Sequence, residues 1–466
     1  MPSKLFSFTL FTALLYPLAV QASTMITDQE QTDLAVTLYT QNLGLIQDSR
    51  SLPSLKKDET IVIRDVSKLM QTETLQIRNA GIIKEQTLST ASFNYYALLD
   101  RHIGENIILA HSQPNGQELQ QPVRLLNVEG STALVENNGR IESIPLSSEW
   151  RIIFPTSPAD LLLKPSLTFR SEGTSTAGTT QLSYLTQGLS WQMDYVMTLN
   201  KDSSDLRLEG LASLTNDTGI PLKNARIRLL AGDVYRDNSP RYRAKTVMMA
   251  QSMAEDSSSG VPEALSDYQL YTLDERVTLQ HQQRTQVPLM QADNVAIKAL
   301  QRYQFYISNS VDNQTQTIKP ESFIRFRNNQ QQGLGAPLPA GQVRFFAPDQ
   351  TGELHYIGSS RINQTAVDEQ VELAMGKAFD VTVTHKQTDF QTAFDGTVSA
   401  YEVRIKNSAL SSRDVEITTL FSQPWTLISS TSKPIEQSAG MAKWKTTVDG
   451  NSESLLTMRV RLTKPQ

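Results

Sequence analysis

The stretch Asp205-Leu-Arg-Leu-Glu-Gly-Leu-Ala-Ser-Leu-Thr215 decides the fold class. Leu206, Leu208, Gly210, Ala212 and Leu214 fall on one face of an extended chain, and Arg207, Glu209 and Ser213 on the other. Successive side chains of a strand point to opposite sides, so this period of two marks a half-buried β-strand. The run stops at Asn216-Asp217-Thr218-Gly219, a turn composition. Beyond the turn, Ala225, Ile227 and Leu229 alternate with Arg226 and Arg228.

The same pattern recurs outward in both directions. Downstream it covers 303–307, 323–327, 379–383, 401–405, 415–417 and 456–462, and upstream 60–63 and 75–77. Clusters of Gly, Pro, Asn, Asp and Ser separate the runs. Residues 133–144 form a predicted hairpin, because Asn138-Gly139 supplies the positive backbone angles of a tight type I′ turn. Residues 94–103 are predicted as one short helix. No segment has a long helical period. Strands in sequence without intervening helices imply an all-β fold of antiparallel β-sandwich domains, with a small barrel-like N-terminal insert at about 104–154.

The first 22 residues set the expected organisation. Lys4 precedes an apolar run, and Val20-Gln21-Ala22 gives the small residues a signal peptidase accepts, so cleavage is expected after Ala22. The run is shorter than the roughly 20 residues of a spanning helix. Residues 23–160 are expected to form an N-terminal β domain and 161–466 the β-sandwich part, with a flexible loop at about 236–267. Residues 155–165, with three prolines and Leu161-Leu162-Leu163, are read as a connection. Removing Lys4 takes the net charge from −5 to −6, too mild and of the wrong sign for a nucleic-acid binder. The chain has no cysteine, which excludes disulfides, thiolate chemistry and a lipoprotein anchor. Periplasmic or secreted localisation is expected, with no membrane-spanning helix after the leader.

Candidate chemistry is sparse. His102, His111, His281, His355 and His385 are spread without the short spacings of a zinc site, and scattered histidines are the simpler reading. Ser190 in Gly188-Leu-Ser-Trp-Gln192 lacks the last glycine of a nucleophile elbow. Ser54 with Lys57, and Ser430 with Lys433, lie among turns and strands, not at a helix start. Asp349-Gln-Thr-Gly-Glu353 lacks the alternating oxygens of a calcium loop and reads as a hairpin turn. Trp150, Trp191, Trp425 and Trp444 could stack on sugars, but each lies in or beside a strand and is read as core. No catalytic residue, metal or cofactor is expected. The candidate interaction loop holds Met248, Met249 and Met253; Met249 and Met253 are four apart, and methionine adapts to irregular partners. A flexible spacer is the plainer reading of that composition.

A family resemblance covers nearly all of the chain beyond the leader. Tyr184-Leu-Thr-Gln-Gly188-Leu-Ser-Trp191-Gln-Met-Asp-Tyr195, Leu229-Leu-Ala-Gly232-Asp-Val234, Gly352-Glu-Leu-His-Tyr-Ile-Gly358 and Gly376-Lys-Ala-Phe-Asp-Val381 resemble domain-of-unknown-function family 4139. Residues 36–45 and 151–155 are similar to bacterial members as well. The resemblance implies an exported, β-sandwich-rich envelope protein and brings no catalytic residues. Tyr184, Gly188, Trp191, Tyr195 and Gly232 are read as fold markers. Some relatives are mucoidy-inhibitor proteins with a coiled coil; this chain has no heptad stretch. The expected function is a non-catalytic binding or scaffold protein for an envelope protein or glycan. The alternatives are a carboxylate-dependent hydrolase of envelope polysaccharide and an exopolysaccharide regulator.

Overall fold

The alternating run becomes the strand Asp205–Asn216, with Leu206, Leu208, Ala212 and Leu214 fully buried. It belongs to a computed structural model that describes residues 23–90, 94–113, 116–146, 149–155, 164–172, 176–232, 234, 263–265 and 268–463. The candidate Met248, Met249 and Met253, residues 1–22 and 156–163 lie outside the described residues. No described helix is long and apolar enough to cross a membrane.

Two sheets face each other across the largest core. One runs Gln283–Ala296, Asp205–Asn216, Leu189–Leu199, Gly341–Pro348, Leu354–Ile362 in spatial order. The other contains Tyr268–Thr272, Leu222–Ala231, Gln31–Tyr39, Gly44–Leu52 and Gly178–Thr186. Their inward residues include Trp191, Met193, Tyr195, Val36, Leu38 and Ile227. A smaller sheet built on Thr60–Arg64 and Ser166–Glu172 adds Ile61, Ile63 and Phe169 to the same core. Strands from before and after residue 160 therefore pair directly: Gly44–Leu52 with Gly178–Thr186, and Thr60–Arg64 with Ser166–Glu172.

A second sandwich encloses its own core. Lys298–Ile307, Arg413–Phe421 and Met441–Val448 contribute Tyr303, Phe305, Ile417 and Trp444. Val381–Ala393, Gly396–Asn407 and Ser452–Thr463 contribute Val383, Val403, Ile405, Met458 and Val460. Most pairs are antiparallel, as expected for sandwiches. Among the described residues four pairs are parallel, including Leu189–Leu199 with Gly341–Pro348. A parallel neighbour requires a long return of the chain, which local periodicity does not reveal.

The insert is a five-stranded antiparallel sheet, from Arg140–Pro145 at one edge to Arg151–Ile153 at the other, and it is open among the described residues. One face packs Ile107, Leu109, Val123, Leu125 and Val135 against Leu99 of the helix Tyr95–Arg101. Asn94 caps that helix by accepting the Ala97 N–H at 2.9 Å. Asn137 pairs with Arg140, and Asn138 and Gly139 both take positive φ, as the hairpin requires. Within the segment expected as a loop at about 236–267, Glu263–Leu265 is a strand that pairs with Tyr268–Thr272; residues 235–262 lie outside the described residues. The strand expected from residue 379 begins at Val381, leaving Phe379 89% exposed.

Candidate functional site

The three aromatic fold markers are buried in the first core, and the two glycines take positive φ. Trp191 sits in Leu189–Leu199 and its Nε1 donates across the core to the Leu230 carbonyl at 3.0 Å. The buried Tyr195 hydroxyl donates to the Pro339 carbonyl at 2.7 Å, and burial pushes this phenol well above its ordinary value. Tyr184 is equally buried, and its oxygen accepts the Ser67 N–H at 3.4 Å. Burial first, and the neighbouring Asp48 charge second, raise the Tyr184 phenol. Gly188 turns between two strands at φ +85°, where a Cβ would lie 2.9 Å from the Asp217 carbonyl carbon. Gly232 takes φ +120°, and a Cβ there would press on the Tyr268 ring at 2.8 Å. Tyr184 also lines a small concavity with Asp28, Asp48 and Asp65.

With Trp191, Met193 and Tyr195 turned inward, period two turns Gln192 and Asp194 outward. The parallel partner strand sets Gln342 beside Asp194 and Arg344 beside Val196. The next strand sets Arg361 beside Gln342 and Ser359 beside Arg344. The result is a cleft of about 430 Å³ on the outer sheet face, also lined by Tyr356. That volume falls within the range of roughly 300–1,000 Å³ typical of ligand sites.

Asp194 anchors the floor and is only 4% exposed. It accepts hydrogen bonds from Ser213 Oγ at 2.7 Å, Arg344 at 3.0 Å and Gln192 Nε2 at 3.3 Å. Gln286 Nε2 holds Ser213 in turn, at 2.9 Å. Burial pushes the Asp194 carboxyl up, but the donors from Ser213, Arg344 and Gln192 together outweigh it and hold the group below its ordinary value. Arg361 is exposed and has no ion pair or side-chain hydrogen bond among the described residues. Tyr356 is 58% exposed and is propped edge-on against Phe346, with ring centroids 5.8 Å apart. The cleft therefore offers one free guanidinium, a second that is half exposed, an aromatic face, and the amide and hydroxyl groups of Gln192, Gln342 and Ser359.

Glycoside hydrolysis calls for two carboxyl groups about 5–10 Å apart. Asp194 is the one carboxylate lining this cleft. Asp28, Asp48 and Asp65 do share a concavity, but it measures only about 20 Å³. Asp48 there is committed to Arg50 and Gln31, and Asp28 to Lys223.

The remaining candidates separate widely. Asp349, Glu353 and His355 come together at a hairpin tip, where their ligand atoms lie within 4.8 Å of one another. Asp349 Oδ1 already accepts from the Thr351, Gly352 and Glu353 N–H groups, and Oδ2 lies 3.0 Å from His355 Nε2. The Thr351 hydroxyl first, then His355 and the N–H groups of Glu353 and Thr351, hold the Asp349 carboxyl far below the usual range. That is a turn held by its own aspartate. His102 and His385 are buried, the latter in the strand Val381–Ala393: His102 Nδ1 lies 2.7 Å from the Leu98 carbonyl and His385 Nδ1 2.7 Å from the Tyr303 hydroxyl. Ser54 and Ser430 are spent on the Ala177 N–H and on Trp444 Nε1. Trp191 and Trp444 are core, whereas Trp150 and Trp425 are half-buried against His111 and Phe421. Sequence reasoning missed the cleft because its residues come from three strands and their polar faces carry no short spacing. No protein-family profile matches the chain, and no curated protein matches it.

Proposed function

We propose that this is a non-catalytic binding protein of the bacterial envelope, exported by a cleaved leader, and that the outer-face cleft recognises an acidic saccharide. The observation that carries the reading is Arg361, a guanidinium without a partner among the described residues, beside the half-exposed Arg344. Arginine's planar fork matches a carboxylate in bidentate fashion. The exposed Tyr356 ring supplies a flat apolar surface for a sugar, and Gln192, Gln342 and Ser359 supply donors and acceptors for hydroxyls. The two arginines exceed the one aspartate in charge, which favours an acidic ligand over a neutral one. Support for the envelope setting comes from the leader-like first 22 residues and the resemblance to family 4139.

Calorimetric titration with an oligogalacturonide and with its neutral galactose counterpart tests the reading. The acidic oligomer is expected to bind about tenfold more tightly, the effect of roughly one charge-assisted hydrogen bond. Tyr356→Ala is expected to weaken both. Equal affinity for the two oligomers, or no binding of either, contradicts the reading.

A further inference from the structure

A chain of polar side chains crosses the outer sheet face and ends at Arg344. Gln286, Ser213 and Gln192 lie directly opposite one another on neighbouring strands. Gln286 Nε2 donates to Ser213 Oγ at 2.9 Å, so the Ser213 proton is turned onto Asp194 Oδ2 at 2.7 Å. The other carboxylate oxygen, Oδ1, accepts from Arg344 at 3.0 Å. Ser213 and Asp194 are both buried, while Arg344 is half exposed.

The two arginines of the cleft therefore differ. Asp194 is the one hydrogen-bonded partner of Arg344 among the described residues, and it engages a single guanidinium nitrogen. The remaining donors of Arg344 are unspent. Arg361 has no such tether. An untethered arginine gives up rotamer freedom when a ligand arrives. A tethered one has given up part of it beforehand, and this favours binding.

Asp194 acts on a bound acid in two opposed ways: its charge repels the acid, and its grip on Arg344 orders the group that would receive it. Both of its oxygens are already answered, Oδ1 by Arg344 and Oδ2 by Ser213 and Gln192. The grip is thus the larger of the two influences.

We propose that Asp194, backed by Ser213 and Gln286, is a positioning residue that sets the Arg344 guanidinium for the carboxylate of the acidic saccharide. This inference rests on the saccharide reading of the cleft and adds which arginine is set in advance for the acid.

The test is calorimetric titration of the full chain with an oligogalacturonide and its neutral galactose counterpart. Asp194→Asn and Ser213→Ala are each compared with wild type, and again in an Arg344→Ala background. Asp194→Asn is expected to lower the ratio of acidic to neutral affinity about fivefold, although it removes a negative charge from an anion site. Ser213→Ala, which alters no charge, is expected to lower the ratio in the same direction and serves as the test if Asp194→Asn does not fold. A general loss of folded protein would weaken both oligomers alike and leave the ratio in place. Without Arg344, neither substitution is expected to change the ratio, as coupling through that arginine requires. Where wild type prefers the acid, a ratio unchanged or raised by the substitutions, or an equal fall without Arg344, overturns the positioning role alone. A wild type without that preference ends the saccharide reading and this inference with it.

Discussion

In the first sandwich the buried Arg50 uses five N–H donors: two bonds to Asp48 Oδ2 and one each to the carbonyls of Thr27, Arg64 and Asp65. In the second sandwich the buried His385 has one hydrogen-bonded partner among the described residues, the Tyr303 hydroxyl. Both are polar groups in dry interiors, and they do different things there. Arg50 is a joint that ties two segments, at Thr27 and at Arg64–Asp65, to the strand Gly44–Leu52. His385 is a titratable group stacked on Phe305, with ring centroids 4.5 Å apart, in a place where a proton is unwelcome. The first sandwich is thus expected to be sensitive to loss of a partner, and the second to acid.

The largest effect expected is at the joint. Arg50→Ala leaves Asp48 buried with no cation, a loss of about 3–5 kcal/mol, measurable by urea unfolding. A loss under about 1 kcal/mol would break the comparison. Next is Trp191→Phe, which keeps most of the packing and strands the Leu230 carbonyl. About 1–3 kcal/mol should be lost, again by urea unfolding, with amide exchange in Leu222–Ala231 rising first.

The third expectation concerns pH. Burial holds the His385 imidazole below its ordinary value near 6.5, with the Asp312 charge opposing it. The unfolded chain takes up a proton that the folded chain refuses, so stability is whole above about pH 6.5 and falls as pH drops through it. The fall levels off once the folded group is itself protonated. Hydrogen exchange should quicken in Val381–Ala393 between pH 7.5 and 5, while Gly44–Leu52 holds. His385→Gln, which keeps a partner for Tyr303, should flatten the difference; equal acid sensitivity of both strands would remove it. The smallest effect is expected from Lys223→Ala. The Lys223–Asp28 pair, at 2.7 Å, lies at the surface, where such pairs contribute little, and the unfolding midpoint should not move.

The sheets were legible because burial on one face writes itself into alternate residues. Leu206, Leu208, Ala212 and Leu214 are as buried as their spacing predicts. Local turn chemistry was legible too, at Asn138-Gly139 and at the Asn94 cap. Polar residues broke the rule where they meet one another: Ser213, on the polar side of its strand, is 1% exposed because it holds Asp194. The cleft could not be read from spacing. Arg344 stands 150 positions from the Asp194 it binds, and the parallel pairing that joins them depends on a long return of the chain.

The most direct measurement of the central claim is calorimetric binding of an oligogalacturonide to the wild-type chain, Arg361→Ala and Arg404→Ala. Arg404 is an exposed arginine already paired with Glu402 and Glu453, away from the cleft lining. Arg361→Ala is expected to lose about tenfold or more in affinity and Arg404→Ala to match wild type. Equal binding by all three proteins would contradict the assignment of the cleft.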